Sequence, residues 1–408
     1  MKAKNYSLND TKLDDSKVFR DAVHNYIHVD QPVILDLINS KEMQRLRRIK
    51  QLGGTHLVYQ SAEHSRFCHC LGVYFIVLKM IFNSEVGKYL SDYDKLTVMC
   101  AALLHDLGHG PFSHCFEGAF GLNHEEYTVK IINGNSEVNC ILESFEKGFS
   151  KKVSSIIEKT HPNTILIQMI SSQLDADRMD YLLRDSYFTG TTYGHFDLYR
   201  ILRVMKVVDN KIVYKYSGVQ AIENYILARY HMYWQVYYHP TSRSYEQLLI
   251  SIFSRMKDLY NEGYDFGDIR YLKPFLDGNV NEVDYVKLDE SIVLYYFRLL
   301  SESNDKILAD LCDRFLNRKL FAYRDLNNEE EKIKIIKEFA KSGIAVRYYV
   351  VSDDQSQIPY LYYDNNEVNA IEILVNHELK LLPEVSEIVG AITNSSKNKI
   401  DHKIFYPE

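Results

Sequence analysis

The chain has 408 residues, of which 46% are hydrophobic and 25% are charged, a composition typical of a soluble globular protein with two or three domains. Its formal net charge of -7 argues against a dominant nucleic-acid surface, because such surfaces are basic. We expect no membrane span and no cleaved leader. The six cysteines form no regular framework, so a cytoplasmic protein with reduced thiols is expected.

Helical periodicity dominates the first two thirds of the chain. Residues 1–16 are polar, and we expect a flexible N-terminus there. Apolar residues at helical spacing predict helices over residues 32–51, 66–82, 95–105, 164–187 and 219–238. Two β-branched runs, 204–208 and 212–216, flank Asp209 and Asn210 and predict a hairpin.

The pattern changes after a Gly- and Asp-rich stretch at residues 263–278, where we expect a domain boundary. Strands are predicted over 320–323, 345–351, 360–363 and 371–375, and helices over 329–341 and 383–392. The sequence therefore predicts a mainly α fold with a small C-terminal α+β appendage. The expected division is a helical domain at 17–265 and a C-terminal helical and α+β region at 266–408.

One segment joins the end of an apolar helix to a glycine-rich loop, Leu104-His105-Asp106-Leu107-Gly108-His109-Gly110-Pro111-Phe112-Ser113-His114. The adjacent His105 and Asp106 offer an imidazole nitrogen and a carboxylate oxygen, a mixture that suits a divalent metal. Glycine and proline end the helix, so the pair lies where a helix opens into a loop. The alternative is an exposed histidine pair at i and i+4. Two further segments with similar side chains favour the metal site.

The first of these segments places His69 at the start of an apolar helix, between Cys68 and Cys70. Alternate residues on a helix diverge, so the cysteines are expected to be packing groups rather than zinc ligands. In the second segment a polar stripe on an otherwise apolar helix predicts a lined site, since such a stripe is costly to bury. An exposed, salt-bridged helix face is the alternative. The stripe consists of Asp177, Tyr181, Arg184 and Asp185.

The order of the motifs resembles the HD-domain deoxynucleoside triphosphate (dNTP) triphosphohydrolases, both the bacterial enzymes and the vertebrate dNTPase with a sterile-alpha-motif domain. The resemblance covers roughly residues 17–240 and implies an HD-domain helical core. The matching motifs are Lys50-Gln51-Leu52-Gly53, Arg66-Phe67-x-His69, His105-Asp106 through His114, Asn123-His124-Glu125 and Asp175-x-Asp177-Arg178-x-Asp180-Tyr181.

The resemblance also implies roles for single residues. The metal ligands would be His69, His105, Asp106 and Asp177, holding a divalent ion (Fe, Mn, Zn or Mg), with Mg²⁺ on the substrate phosphates. Four residues would be catalytic. His114 and Glu117 would form the general-acid pair, and His109 and His124 would contact the triphosphate around the scissile bond. Arg66 and Arg178 would contact phosphate. The sugar and base would be lined by Gln51, Leu52, Tyr181, Asp185 and Tyr237.

Within this set, Gln51 and Asp185 would read the 3′-hydroxyl, while Leu52 and Tyr237 would leave no room for a 2′-hydroxyl. A bound metal lowers the pKa of its water toward about 7, so hydroxide can attack the α-phosphorus at neutral pH. The products would be deoxynucleoside and triphosphate. The alternatives are another HD-class nucleotidase or phosphodiesterase, which would lack the sugar set, or a nucleotide-sensing module without turnover.

A regulatory pocket is also implied, between subunits of a homotetramer, with a nucleoside triphosphate as the effector. It would be built from Lys17, Val18, Asn39, Gln44 and Arg47. Asn39 occupies the position at which the family has an acidic residue that hydrogen-bonds to guanine. An amide offers one acceptor and one donor group, so a weaker preference for guanine is expected. Neither nucleic acid nor a membrane is expected as a partner.

Overall fold

The computed structural model of the chain describes residues 12–356, 370–395 and 400–408. A hairpin and ten helices come first in the described chain. They are β1 (Lys17–Asp21), β2 (Asn25–Val29), α1 (Pro32–Asn39), α2 (Lys41–Arg45), α3 (Arg66–Asn83), α4 (Asp92–Leu104), α5 (His114–Phe120), α6 (His124–Asn133), α7 (Glu137–Phe145), α8 (Phe149–Ile157), α9 (Thr164–Ile170) and α10 (Ala176–Thr189).

The second half mixes helices with short strands. A hairpin and three helices follow α10: α11 (Leu198–Val204), β3 (Met205–Val208), β4 (Lys211–Lys215), α12 (Val219–Met232), a π-helical turn over Tyr233–Tyr237 and α13 (Pro240–Asn261). The remaining elements are α14 (Lys273–Leu276), α15 (Glu282–Tyr285), α16 (Glu290–Leu300), α17 (Lys306–Leu316), β5 (Ala322–Asp325), α18 (Glu329–Lys341), α19 (Val346–Tyr349), β6 (Val351–Ser356), β7 (Glu372–Val375), β8 (Glu378–Leu381), α20 (Leu382–Val385), α21 (Glu387–Ser395) and β9 (Ile400–Tyr406). The expected mainly α fold is confirmed.

Two predicted helices are each divided by a local cap. The expected helix 164–187 is interrupted because the Asp175 carboxylate accepts the backbone N–H groups of Ser172 (2.8 Å) and Arg178 (2.7 Å), which starts α10 anew. The expected helix 32–51 is divided at Ser40, whose hydroxyl accepts the Met43 N–H at the start of α2. These breaks were missed because the apolar spacing continues across them.

The C-terminal predictions need two corrections. The expected strand 345–351 is wrong over its first residues, which form the single helical turn α19 before β6 begins at Val351. The expected helix 383–392 is divided into α20 and α21. Helix α18 occupies the predicted residues 329–341, and the predicted strand 360–363 lies outside the described residues.

The small sheets join distant parts of the chain. The predicted hairpin β3–β4 is present and pairs in parallel with β7, through Tyr214 with Ile373 and Lys215 with Leu374. Strand β9 lies between β5 and β6. One apolar cluster also continues from the first helices into the C-terminal region, through Phe253 on α13 and Phe297 on α16. The domain boundary near residue 265 stays a prediction.

Helix α3 lies at the centre of the helical part and contacts both α4 and α10. By length and hydropathy it is able to cross a bilayer, but 72% of its apolar window is buried within the protein. It is a core helix, since its side chains already have protein neighbours. Its first turn carries Arg66 and His69, so the packing of α3 fixes the position of both side chains.

Candidate active site

Four side chains from three helices meet in one cluster. His69 is on the first turn of α3, His105 and Asp106 directly follow α4, and Asp177 is on the first turn of α10. His69 Nε2 lies 3.0 Å from Asp177 Oδ1 and 3.8 Å from Asp106 Oδ2. His105 Nε2 lies 3.3 Å from Asp106 Oδ1 and 3.6 Å from Asp177 Oδ1. The structure therefore brings together the four residues predicted as metal ligands.

A hydrogen bond from Nδ1 orients each of the two histidines of the cluster. His69 Nδ1 donates to Asp180 Oδ2 at 2.8 Å, and His105 Nδ1 donates to the carbonyl of Ala102 at 2.9 Å. Both Nε2 atoms consequently face the carboxylates. His105 Nε2 is buried and has no hydrogen-bond partner among the described residues. A neutral imidazole held in this way, beside carboxylate oxygens, is a fitting ligand for a divalent cation.

The charges of the cluster also fit a cation. Burial disfavours the ionised form of Asp106, but His105, His109 and Arg66 outweigh it and hold the pKa of this carboxyl well below its usual range. Burial lowers the pKa of His69, but its hydrogen bonds to Asp177 and Asp180 prevail and raise the pKa to about 10. In the absence of metal the cluster thus retains a proton on His69, which a cation would displace.

Arg66 connects the cluster to the glycine-rich loop. Its guanidinium lies 2.5 Å from Asp106 Oδ2 and donates twice to Ser113 Oγ, at 3.0 and 2.8 Å. Phe112 and Ser113 have φ values of 57° and 53°, which are unfavourable for residues with a side chain. Sequence reasoning did not identify Ser113. The Gly-Pro pair before it was the only signal that the loop changes direction here.

Three histidines converge on Glu117. The Nδ1 atoms of His109, His124 and His114 lie 3.1, 2.9 and 3.6 Å from its carboxylate oxygens. The side chain of His114 is 74% exposed, whereas that of His124 is 24% exposed. The structure therefore places His124, rather than the predicted acid His114, in the shorter contact with Glu117.

The ligand atoms of this second cluster lie within 4.8 Å of one another and could hold a metal ion, but two of its histidines are poorly arranged to share one. The rings of His109 and His124 stack at 3.9 Å with an angle of 16° between their planes. A metal lies near the plane of the imidazole that binds it, and one ion cannot lie in two parallel planes this far apart. Burial and the neighbouring Arg66 lower the pKa of His109 to about 4, so this ring is neutral at neutral pH. Burial raises the pKa of Glu117, but the three histidines together lower it far below its usual range.

A cavity of about 540 Å³ opens from both clusters, within the size range of small-ligand sites. Asp185 uses both carboxylate oxygens there, accepting from His64 Nε2 at 2.8 Å and from the Tyr237 hydroxyl at 2.7 Å. Gln51 Oε1 is buried and unpaired among the described residues. The remaining predicted sugar and phosphate residues also line the cavity: Leu52, Arg66, Arg178 and Tyr181. Sequence reasoning missed His64, which no motif marked.

Part of the cavity wall comes from the C-terminal half of the chain. Arg243 is fully buried, donates to Asp353 Oδ2 at 2.7 Å and contacts Asp401, so it attaches α13 to β6 and β9. Burial raises the pKa of the nearby Glu246 to about 7. The other wall residues of this part are Tyr238, Tyr245 and Gln355. The sequence offered no signal for them, because their local patterns are those of ordinary helices and strands.

The predicted effector residues lie elsewhere on the surface. Lys17 and Val18 on β1, Asn39 at the end of α1, and Arg47 are exposed. Gln44 Nε2 donates to the carbonyl of Ile38, and Arg47 Nε donates to Gln44 Oε1. None of the five is among the described residues that line the 540 Å³ cavity.

Arg184 departs from the predicted polar stripe. Its side chain is fully buried and binds Asp180 and Asp21, and it does not line the described cavity. It lies on the side of α10 that faces α3, whereas Asp177, Tyr181 and Asp185 face the cavity. The spacing alone did not separate these two neighbouring directions.

Comparison with known proteins agrees with this geometry. A model of the HD domain matches residues 66–185, and a model of the HD associated region matches residues 196–408. The uncharacterized protein YwfO of Bacillus subtilis is 48% identical over 407 residues, covering 97% of this chain and 93% of its own. The chain belongs to the HD-domain phosphohydrolase family. All four predicted metal ligands lie within the matched HD domain, a domain that binds divalent metals.

Two further similar proteins are a deoxynucleoside triphosphate triphosphohydrolase homolog and a phosphohydrolase of known structure. The deoxynucleoside triphosphate triphosphohydrolase SAMHD1 homolog of Dictyostelium discoideum is 25% identical over 385 residues, covering 89% of this chain and 72% of its own. The crystal structure of a phosphohydrolase from Bacteroides thetaiotaomicron has a TM-score of 0.84 and 29% identity, covering 97% of this chain and all of that one. The expected resemblance to this family is confirmed.

Proposed function

We propose that this protein is a metal-dependent dNTP triphosphohydrolase that releases deoxynucleoside and intact triphosphate. The observation that carries the proposal is the shared cavity. It is lined by Asp106 and Asp177, which belong to the cluster with His69 and His105, and by the hydrogen-bonded pair Asp185 and Tyr237. A generic phosphatase site has no need of the second group. The triphosphohydrolase named among the relatives supports the same substrate class.

The chain's own residues divide the work along this cavity. A divalent cation at the cluster would supply an activated water and neutralise phosphate charge. Arg66 and Arg178 present positive charge to the phosphates and stabilise the charge that develops on them. His109 and His124 contact the triphosphate near the scissile bond. His114, with Glu117, donates a proton to the departing 5′-oxygen.

The sugar is held at the Asp185 side of the cavity. The Tyr237 hydroxyl and His64 fix the Asp185 carboxylate, so that it can accept from a 3′-hydroxyl, as can Gln51 Oε1, which has no partner in the described part of the chain. Leu52 and the Tyr237 ring occupy the space that a 2′-hydroxyl would need. The proposed preference for deoxyribose is therefore steric, and it depends on a wall that is held rigidly.

Regulation, assembly and location complete the proposal. Lys17, Val18, Asn39, Gln44 and Arg47 form an effector site for a nucleoside triphosphate with a reduced preference for guanine, in a homotetramer. The ion at the cluster is Fe, Mn, Zn or Mg, with Mg²⁺ on the substrate phosphates. The protein is cytoplasmic and requires neither nucleic acid nor a membrane. Sedimentation and initial rates with dGTP, GTP, dATP or no effector test the regulatory part. Full activity on a single dNTP with an unchanged oligomer would refute it.

The activity is tested with purified protein and each dNTP, alone and in pairs, with Mn²⁺ or Mg²⁺, followed by chromatography of the products. We expect equal amounts of deoxynucleoside and triphosphate. Deoxynucleoside monophosphate with pyrophosphate, or turnover only of monophosphates or cyclic nucleotides, would favour another HD-class phosphohydrolase. Nucleotide binding without turnover would favour a sensing module. Equal rates with ATP and dATP would contradict the steric account of the sugar.

A further inference from the structure

We propose that the N-terminal hairpin β1–β2 is part of the metal centre, with His24 and Asp21 as positioning residues that hold Asp180 and, through it, the ligand His69. The hairpin precedes the matched HD domain by more than thirty residues. The inference rests on the metal site of the proposed function, but it assigns a role to residues outside the ligand set.

The central contact is a carboxylate that bridges two imidazoles. His24 Nε2 donates to Asp180 Oδ1 at 2.6 Å, and His69 Nδ1 donates to Asp180 Oδ2 at 2.8 Å. The side chains of His24 and Asp180 are 3% and 0% exposed. Arg184 also donates to both oxygens, from Nη2 to Oδ1 at 3.0 Å and from Nε to Oδ2 at 2.8 Å, so His24 and Arg184 together aim Oδ2 at His69. The Asp180 carboxylate thus has a fixed rotamer with respect to the ligand.

Asp21 shapes the hairpin tip that presents His24. Its Oδ1 accepts the backbone N–H groups of Val23 at 2.9 Å and His24 at 2.8 Å, a local turn that sets the direction of the His24 side chain. Its Oδ2 accepts from Arg184 Nη1 at 2.9 Å, and Arg184 Nε in turn donates to Asp180 Oδ2 at 2.8 Å. Asp21 therefore acts on Asp180 by two routes.

Packing against α3 restricts the conformations of the His24 ring and the Asp180 carboxylate. The His24 ring stacks on Phe75 of α3, with ring centroids 4.6 Å apart. One turn earlier on α3, a Cβ at Gly72 would lie 1.9 Å from Asp180 Oδ1 and 2.5 Å from Arg184 Nη2. The absence of a side chain at Gly72 is what gives Asp180 its place against α3. A carboxylate confined in this way keeps the Nδ1 proton on His69 and leaves Nε2 free to bind metal.

The test compares two histidines of the same hairpin. His24→Ala removes the contact to Asp180, whereas His28→Ala removes an exposed imidazole whose Nδ1 lies 3.3 Å from Ser16 Oγ. Metal binding is measured by titrating the metal-free proteins with Mn²⁺ in a calorimeter. We expect roughly 10- to 100-fold weaker binding for His24→Ala and less than a twofold change for His28→Ala. His24→Gln, whose amide N–H can reach Asp180, should restore part of the affinity.

Two further measurements keep the test decisive. Circular dichroism melting of the metal-free variants shows whether each is folded, and if His24→Ala is not, Asp21→Asn and His24→Gln carry the comparison. Nitrogen chemical shifts of the His69 ring, measured with Zn²⁺ bound so that the ring has lost its extra proton, report its tautomer, which a purely structural role of His24 would not alter. Unchanged Mn²⁺ affinity and an unchanged tautomer in the folded variants would overturn the inference. Wild-type protein that binds Mn²⁺ but does not hydrolyse dNTPs would refute only the proposed function.

Discussion

The two sides of the cavity are built in different ways. The metal side takes its proposed ligands from the first turns of α3 and α10 and from the residues directly after α4, all within the HD domain. The opposite wall takes Arg243 and Glu246 from α13 and Gln355 from β6, which belong to the HD associated region. The first side is dense in paired charges, and the second is fixed by one buried arginine that holds the sheet.

The two sides therefore have different roles: the metal side would carry out the reaction, and the opposite wall would determine the shape of the cavity. The metal side needs particular residue types at helix ends, where a few side chains can point to one centre without burying unpaired charge. The opposite wall needs only to close the cavity and to contact the less reactive part of a ligand. Substitutions on the metal side should therefore abolish turnover, whereas those on the other wall should change selectivity or stability.

The largest effect is expected at Asp106. Asp106→Ala removes a proposed metal ligand and the partner of Arg66, so bound metal and all measurable hydrolysis should be lost. Elemental analysis and initial rates provide the measurement. Asp92→Ala, at a 91% exposed side chain of α4, is the matched control and should retain both. Stoichiometric metal in Asp106→Ala would show that the cluster is not the metal site.

The next effect distinguishes the two candidate acids. His114→Ala should lower kcat by about 10²- to 10⁴-fold, the usual contribution of general acid catalysis, while the metal remains bound. His124→Ala is compared under the same conditions, because His124 has the shorter contact with Glu117. If His114→Ala is nearly as active as the native protein and His124→Ala is not, the acid is His124.

A smaller effect is expected at the sugar. Tyr237→Ala opens the wall and should reduce the preference for dATP over ATP about tenfold, since steric exclusion needs the ring. Tyr237→Phe keeps the ring but loses the bond to Asp185. It should preserve that preference while raising the KM for dATP. Competition assays with both nucleotides measure the ratio. A loss of preference in Tyr237→Phe would show that the hydroxyl, rather than the ring, selects the sugar.

The smallest effect concerns stability at the opposite wall. Burial raises the pKa of Glu246 from 4.5 to about 7, so the folded protein binds this proton more tightly than the unfolded chain does. Stability from this group is present below pH 4.5 and declines as the pH rises through about 7. Glu246→Gln should abolish that decline and be about 1–3 kcal/mol more stable than the native protein at pH 8.

Urea unfolding at pH 5 and pH 8 measures this difference. The two proteins should be similar at pH 5, where the native carboxyl is largely protonated in the fold. Glu378→Gln, at an exposed position of β8, controls for the loss of a charge and should unfold like the native protein at both values. If the native protein and Glu246→Gln differed in unfolding free energy by the same amount at pH 5 and at pH 8, the raised pKa of Glu246 would be contradicted.

The sequence predicted which side chains come together on the metal side better than it predicted the rest of the cavity, for a physical reason. His105 and Asp106 are adjacent, and Asp177 and His69 lie at helix starts, so local motifs carry the chemistry. Ser113 was missed because its role arises from an unusual backbone conformation, and His64 because it acts only through Asp185. Glu246 and Gln355 reach the cavity through tertiary packing alone. The break before α10 was missed because the Asp175 cap competes with a continuous apolar pattern.

The central claim is that the HD cluster directs attack on the α-phosphorus of a dNTP, and its most direct test is hydrolysis in ¹⁸O-enriched water. Mass spectrometry of the products then locates the label. We expect one ¹⁸O atom per turnover in the triphosphate and none in the deoxynucleoside, because hydroxide attacks phosphorus and the P–O5′ bond breaks. Label in the deoxynucleoside, or in a monophosphate released with pyrophosphate, would contradict the account.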